Sequence, residues 1–272
     1  MKNLFFKRYS KGLVQRIFFR ASEFFHLCMR LFFTYISGGT ECIFCDAQCF
    51  VMPLCSACRT RLFSKISEIF THRCRICGRH IVSEKDICLS CRENNIFGSC
   101  DGIFSVFSYR LWNKELLFKW KIEGVRAFSP FFARIVHNVL CYIEEKFNCR
   151  NVAIVPVPPR PGKISETGWD QIDELCQFLA CKYGRKILPV LQRVSAQQQK
   201  KLDRNSRLEK TKNAYIFAPE NVFLNRNDEI FSEPVIILDD VMTTGATVEK
   251  CASLLKSAGF KKVWVLTLFS AN

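Results

Sequence analysis

Residues 235–247 read VIILDDVMTTGAT. Four apolar residues run into two adjacent acids, and a Thr/Gly/small-residue stretch follows. A short, uniformly apolar run is what a parallel strand buried on both faces requires. Open α/β sheets bind their ligands at the C-terminal ends of such strands, which is where Asp239 and Asp240 are expected. Residues 243–247 then lead into a helix. Backbone N–H groups in such a turn, with the helix dipole behind them, make an anion site. Gly245 allows close approach to the backbone. Thr243, Thr244 and Thr247 add hydroxyl donors, and Ala246 keeps the turn small. Carboxylates repel phosphate, so the ligand must offer both an anion and hydroxyl groups, as a ribose 5-phosphate does. Asp239 and Asp240 would accept from the 2′- and 3′-hydroxyls, directly or through Mg²⁺. An acidic helix start explains one Asp; it does not explain two acids together with the threonines and the glycine.

The flanking sequence supports a parallel unit. Residues 247–257 have helical spacing closed by Gly259, and residues 263–268 read as another strand. Strand, helix, strand in that order gives parallel pairing. Upstream, FSVFSYRL (104–111) alternates like a strand, while ELLFKWKIEG (115–124) and residues 128–147 look helical. VAIVPVPP (152–159) is a buried-strand run broken by prolines. Residues 171–183 carry Ile172, Leu175, Cys176 and Leu179 on one helical face, with Gly184 as the stop. Residues 193–212 form the most polar stretch, either a mobile loop or a solvated helix.

Sixteen cysteines are many for 272 residues, and ten of them fall between Cys42 and Cys100. Two cassettes stand out. CIFCDAQCFVMPLCSAC supplies Cys42, Cys45, Cys55 and Cys58; CRICGRHIVSEKDICLSC supplies Cys74, Cys77, Cys88 and Cys91. Each is a pair of Cys-x-x-Cys knuckles, so the module is a duplication. Such spacing suits metal rather than a disulfide framework. Four thiolates close a tetrahedron around zinc and leave no open position, which implies two structural zinc ions. An iron centre is the rival, and a crossed pairing of knuckles is open on spacing alone. Free thiols fit a reducing, cytoplasmic setting. Cys49 and Cys100 lie outside the spacing and read as plain thiols.

Lys and Arg outnumber Asp and Glu by 40 to 25, a formal charge of +15. That excess favours an anionic partner. Residues 1–38 are basic and rich in Phe. Charges interrupt every apolar run, which excludes a membrane span and a signal peptide. Ile17, Ala21, Phe24, Cys28, Leu31 and Tyr35 recur at helical spacing. The segment is an amphipathic helix that either docks on its own protein through that face or lies on an acidic membrane surface.

The stretch from Asp239 to Thr247 closely resembles the 5-phosphoribosyl-1-pyrophosphate (PRPP) signature of type I phosphoribosyltransferases. From about residue 40 onward the chain resembles the ComF/GntX family. The cysteine cassettes match that family's double zinc ribbon, and residues 154–159 match its proline-bearing strand. The segment from Arg193 through Gln199, Leu202 and Arg207 to Ala214 and Tyr215 follows its hood loop. The residues themselves give the N-terminal helical segment (1–38), and the resemblance implies a double zinc ribbon (39–100) and an α/β, Rossmann-like phosphoribosyltransferase-like domain (101–272). That domain would have a five-stranded parallel sheet, a hood, and a PRPP-type ligand with Mg²⁺. The family usually carries Arg-Gly-Phe-Asn-Gln after its proline strand. Here the chain reads Thr167-Gly168-Trp169-Asp170-Gln171, and the lost arginine and added acid both work against pyrophosphate.

Turnover would need cations for the leaving pyrophosphate, and Arg160, Lys163, Arg193, Lys200 and Arg207 are candidates, with Gln199 in the hood. No residue stands out as an acid or base for a nucleobase. The resemblance also implies a role in natural competence and DNA uptake, with single-stranded DNA and the uptake machinery as partners. The basic hood could track a strand, with Trp112, Trp120 and Trp169 as stacking faces, although core packing accounts for Trp112 and Trp120. A transferase of nucleotide salvage and a ribose-phosphate-binding factor of DNA handling are therefore the two functions to separate.

Overall fold

The computed structural model describes residues 13–64, 71–81, 86–109, 112–194, 215–219 and 231–271. In chain order the elements are α1 (Leu13–Ile36), β1 (Thr40–Glu41), β2 (Gln48–Cys49), α2 (Ser56–Ser64), α3 (Leu89–Glu93), β3 (Gly102–Ser108), α4 (Trp112–Lys121) and α5 (Ser129–Lys146). Then follow β4 (Ala153–Pro156), α6 (Lys163–Thr167), α7 (Gln171–Tyr183), β5 (Leu191–Arg193), β6 (Tyr215–Phe217), β7 (Val235–Met242), α8 (Ala246–Ser257) and β8 (Val263–Ser270).

The central sheet is parallel, in the order β3-β8-β7-β4. Beyond β4 a single parallel bridge, Ile154 to Ile187, stands where a fifth strand was expected. The next rung would need the N–H of residue 156, which is a proline, and the N–H of Val190, which instead bonds the Leu188 carbonyl at 2.9 Å. β8 is buried along all eight residues, and β7 is buried through its first four. Their alternating side chains feed two cores. Ile236, Leu238, Trp264 and Leu266 meet α4, α5 and α7; Val235, Ile237, Val263 and Val265 meet α8.

β7 does not stop at Leu238 as the apolar run suggests; it continues through both acids to Met242. Asp239 stays in register with Thr267. The ladder on β8, which is buried along its whole length, holds the two carboxylates in extended backbone that their own propensity would not choose. The limits of α7 match the sequence expectation because both caps are local. Asp170 accepts from the backbone N–H groups of Ile172 and Asp173 at 3.0 Å each, and Gly184 adopts φ 66°.

The first cassette joins the helical core: Cys42, Cys49, Met52, Leu54 and Leu62 are buried with α4 and α5, and Phe63 meets Phe131 edge-on at 5.3 Å. The second forms its own small core and abuts β3, where a Cβ on Gly78 would lie 2.4 Å from the Ile103 carbonyl oxygen. α1 forms as expected, but its expected docking face does not dock. Ile17, Ala21, Phe24, Cys28, Leu31 and Tyr35 are all exposed. Contact with the body is made by the opposite side, through Phe19 edge-on to Phe178 at 4.9 Å and Glu23 at 3.9 Å from Lys182. No helix among the described residues is long and apolar enough to cross a membrane.

Candidate functional site

Two groups of side chains meet at the C-terminal end of the sheet. The first is the turn after β7. Thr243 and Thr244 are exposed there, and Thr244 Oγ1 accepts from the Ala246 N–H at 3.4 Å. Gly245 is buried at φ 86° and immediately precedes α8. Both facts demand glycine, because a Cβ there would lie 2.2 Å from Phe97 Cζ. Thr247 is half-buried beside the Tyr215 hydroxyl, which belongs to the β5–β6 pair. Arg193, on β5, stacks its guanidinium over the Tyr215 ring at 5.5 Å. Of the hood candidates, Arg193 is thus brought to the edge of the turn after β7. Gln199, Lys200 and Arg207 lie outside the described residues.

The adjacent acids face different surroundings. Asp240 is buried on the α4/α7 side, 2.7 Å from Lys121 Nζ, and accepts from Gln171 Nε2 at 2.5 Å. Asp239 is half-buried on the α8 side, where its charge bears on Tyr215 and Cys251, and its Oδ1 accepts from the Asp240 N–H at 2.8 Å. Burial, reinforced by the charge of Asp240, pushes the Asp239 carboxyl up to about 7.

The second group is the loop after β4. Lys163 is 2.6 Å from Asp170 and also donates to Gln171 Oε1, whose amide nitrogen reaches Asp240. Arg160 makes a two-pronged pair with Glu166, one arm at 3.0 Å. Both cations expected to face pyrophosphate therefore carry carboxylate partners from their own loop. The acid that replaces the family's asparagine, Asp170, is the one that caps α7 and binds Lys163.

The cysteines resolve into two separate groups, Cys42/Cys45/Cys55/Cys58 and Cys74/Cys77/Cys88/Cys91, with all ligand atoms of each within 4.8 Å of one another. The pairing is sequential rather than crossed. Sulfur–sulfur separations of 3.6 Å for Cys45–Cys55 and Cys45–Cys58 and 3.7 Å for Cys77–Cys88 match a tetrahedron edge of about 3.8 Å around zinc with ~2.3 Å bonds. The Cys58 and Cys88 N–H groups each donate to a cluster sulfur at 3.4 Å, as the second shell of a thiolate site does. Both clusters can bind zinc. Cys49 and Cys100 stay outside; Cys100 donates to Glu249 instead.

Comparison with known proteins follows this geometry. No protein-family model matches the chain. Competence protein ComFC of Bacillus subtilis (strain 168) is 26 % identical over 242 residues, covering 80 % of this chain and 89 % of the relative. Competence protein ComFC of Streptococcus pneumoniae (strain ATCC BAA-255 / R6) is 24 % identical over 217 residues, covering 79 % and 86 %. The chain is a ComFC homologue.

In this ComFC homologue the contacts that join the parts of the site escape sequence patterns. Lys121 and Gln171, which hold Asp240, come from two helices far apart in the chain. Phe97 belongs to the small core around the second cysteine group and also lies on Gly245. Glu249, in the first turn of α8, accepts from the Ser99 N–H at 2.9 Å and from Cys100. The second cysteine group is thereby fastened to the helix that follows the turn after β7. A periodic pattern identifies a helix face; it carries no signal for pairings of this range.

Proposed function

We propose that this ComFC homologue binds a ribose 5-phosphate ligand of the PRPP class at the end of β7 and uses that grip in DNA uptake, as the name of its relatives suggests. The observation that carries the reading is the turn after β7. An αL glycine, two exposed threonines and a helix start sit within a few residues of a half-buried carboxylate. Phosphate would take the backbone N–H groups of residues 244–247 with the threonine hydroxyls. Asp239 would accept from the ribose hydroxyls, and Mg²⁺ with PRPP fits the same carboxylate.

Binding is favoured over transfer. A transferase must stabilise departing pyrophosphate, and the cations on that side, Arg160 and Lys163, are held by Glu166 and Asp170. The formal charge of +15 supports a nucleic-acid strand as the larger partner. Trp120 is buried and gives no stacking face, and Trp169 is half-buried beneath Arg126, 5.9 Å from its ring. The Trp112 side chain lies outside the described residues. The experiment is calorimetric titration of PRPP with and without Mg²⁺ into wild type and Asp239→Asn, beside pyrophosphate release across a panel of nucleobases. Binding that the variant weakens, without release, supports the reading. Release with one base selects the salvage transferase. No heat with PRPP removes the ligand assignment. Fluorescence anisotropy with single-stranded DNA at two salt concentrations tests the strand, and binding that ignores salt or is absent rules it out.

A further inference from the structure

α1 offers its broadest face to nothing. Eleven of the nineteen large apolar side chains exposed among the described residues sit on this one helix. Two adjacent rows repeat at seven-residue spacing: Ile17, Phe24, Leu31 and Phe18, Phe25, Phe32. All six are exposed, Phe18 by 70 %. At about 100° per residue the apolar arc from Leu31 round to Phe33 spans roughly 200°, while the opposite side, with Phe19 and Glu23, meets α7. Arg16 and Arg20 fall along one rim of the arc. Across residues 1–36 the sequence has seven Lys or Arg and a single acid, Glu23.

We infer that α1 is an in-plane membrane anchor that lies on an anionic lipid surface with its aromatic face in the headgroup boundary. Three features choose lipid over a second copy of the chain. The arc is much wider than the narrow a/d seam of a helix pair. Its large residues are mostly aromatic, Phe18, Phe24, Phe25, Phe32, Phe33 and Tyr35, rather than the Leu, Ile and Val that pack as knobs into holes. The surrounding charge is almost entirely positive, so two copies would repel where anionic headgroups would attract. At 24 residues the helix is about 36 Å long, enough to lie across several lipids, and its charges keep it from crossing. The Glu23–Lys182 and Phe19–Phe178 contacts would hold the body of the protein against the surface.

The test uses the full chain with its zinc. Co-sedimentation with phosphatidylcholine–phosphatidylglycerol vesicles is compared with phosphatidylcholine alone, for wild type and for Phe25→Asp/Phe32→Asp. Wild type should sediment with anionic vesicles, less so at high salt and less on neutral lipid. The double variant should lose partitioning on the order of tenfold to a hundredfold, since two Phe side chains no longer leave water. Circular dichroism and zinc content report folding, and Phe25→Ser/Phe32→Ser gives the same test should the aspartates unfold the chain. Three results overturn the inference. They are wild type staying in the supernatant, both variants sedimenting as wild type does, and light scattering revealing a lipid-independent dimer that the variants dissociate.

Discussion

The two ends of the candidate site are built in opposite ways. At the end of β7 the turn presents exposed threonine hydroxyls at Thr243 and Thr244 and a helix start, and Phe97 lies on the glycine rather than on these hydroxyls. At the loop after β4, Arg160 and Lys163 are already engaged by Glu166 and Asp170. A ligand reaching the first end meets free donors. A ligand reaching the second must displace carboxylates that belong to the protein. Charged groups near a pocket are therefore a poor guide to what the pocket binds until their partners are known. On the proposed reading, the contrast is what would separate gripping ribose 5-phosphate from releasing pyrophosphate.

The most damaging way to probe the contrast is Gly245→Ala. It forces an L-residue into φ 86° and drives a methyl into the Phe97 ring, so a loss of roughly 2–5 kcal/mol is expected in denaturant unfolding. Little change would mean that the turn and Phe97 can separate freely. Metal removal comes next and compares the two cysteine groups. Metal analysis should find about two zinc ions per chain. Cys88→Ser should weaken ribose 5-phosphate binding through Phe97 and Glu249, whereas Cys45→Ser, in the group packed on α5, should lower stability and leave affinity nearly intact. Equal effects on affinity would break the link between the second group and the turn.

At the binding step, Asp239→Asn should reduce ribose 5-phosphate affinity by about tenfold or more, the worth of one hydrogen bond to a charged acceptor. Lys163→Ala should leave that affinity unchanged while costing about 1–3 kcal/mol of stability, because Asp170 and Gln171 lose their partner. The pH response is subtler. Asp239 is pushed up to about 7 from an ordinary carboxylate value, so the folded state holds its proton more tightly than the unfolded chain. Its contribution to stability is full below about pH 4 and is lost as pH rises to 7. Ribose binding needs the ionised form and should strengthen over the same interval, levelling off above 7. Affinity measured from pH 5.5 to 8 should show that rise, and Asp239→Asn should flatten it. Arg160→Ala, on an exposed pair, should change neither quantity measurably.

The legible parts of this molecule were the local ones. The apolar run 235–238, the acids and the threonine–glycine turn occupy one short stretch, so the sequence carries both the strand and the turn into α8. Gly184 closes α7 for the same reason, and Asp170 capped its start without being read as a cap. Cys-x-x-Cys spacing revealed the metal groups, but the sequential pairing waited for the structure, since spacing does not say which knuckles meet. The helical spacing of Ile17, Ala21, Phe24, Cys28, Leu31 and Tyr35 marked an apolar face of α1 and left its partner open between the protein's own body and a membrane; the structure leaves that face exposed, because periodicity describes a surface and not what covers it. The far end of the acid pair was also hidden: alternation along β7 sends Asp240 to Lys121 and Gln171 and Asp239 to the opposite side, and only the fold brings those partners in.

Titrating ribose 5-phosphate and inorganic pyrophosphate separately into the zinc-loaded protein at pH 8 with Mg²⁺ distinguishes a ribose-phosphate grip from a pyrophosphate site. Ribose 5-phosphate should bind, with affinity lost in Asp239→Asn, and pyrophosphate should bind far more weakly or not at all. Pyrophosphate binding as tightly as ribose 5-phosphate, or ribose 5-phosphate giving no heat, would contradict the ribose-phosphate grip.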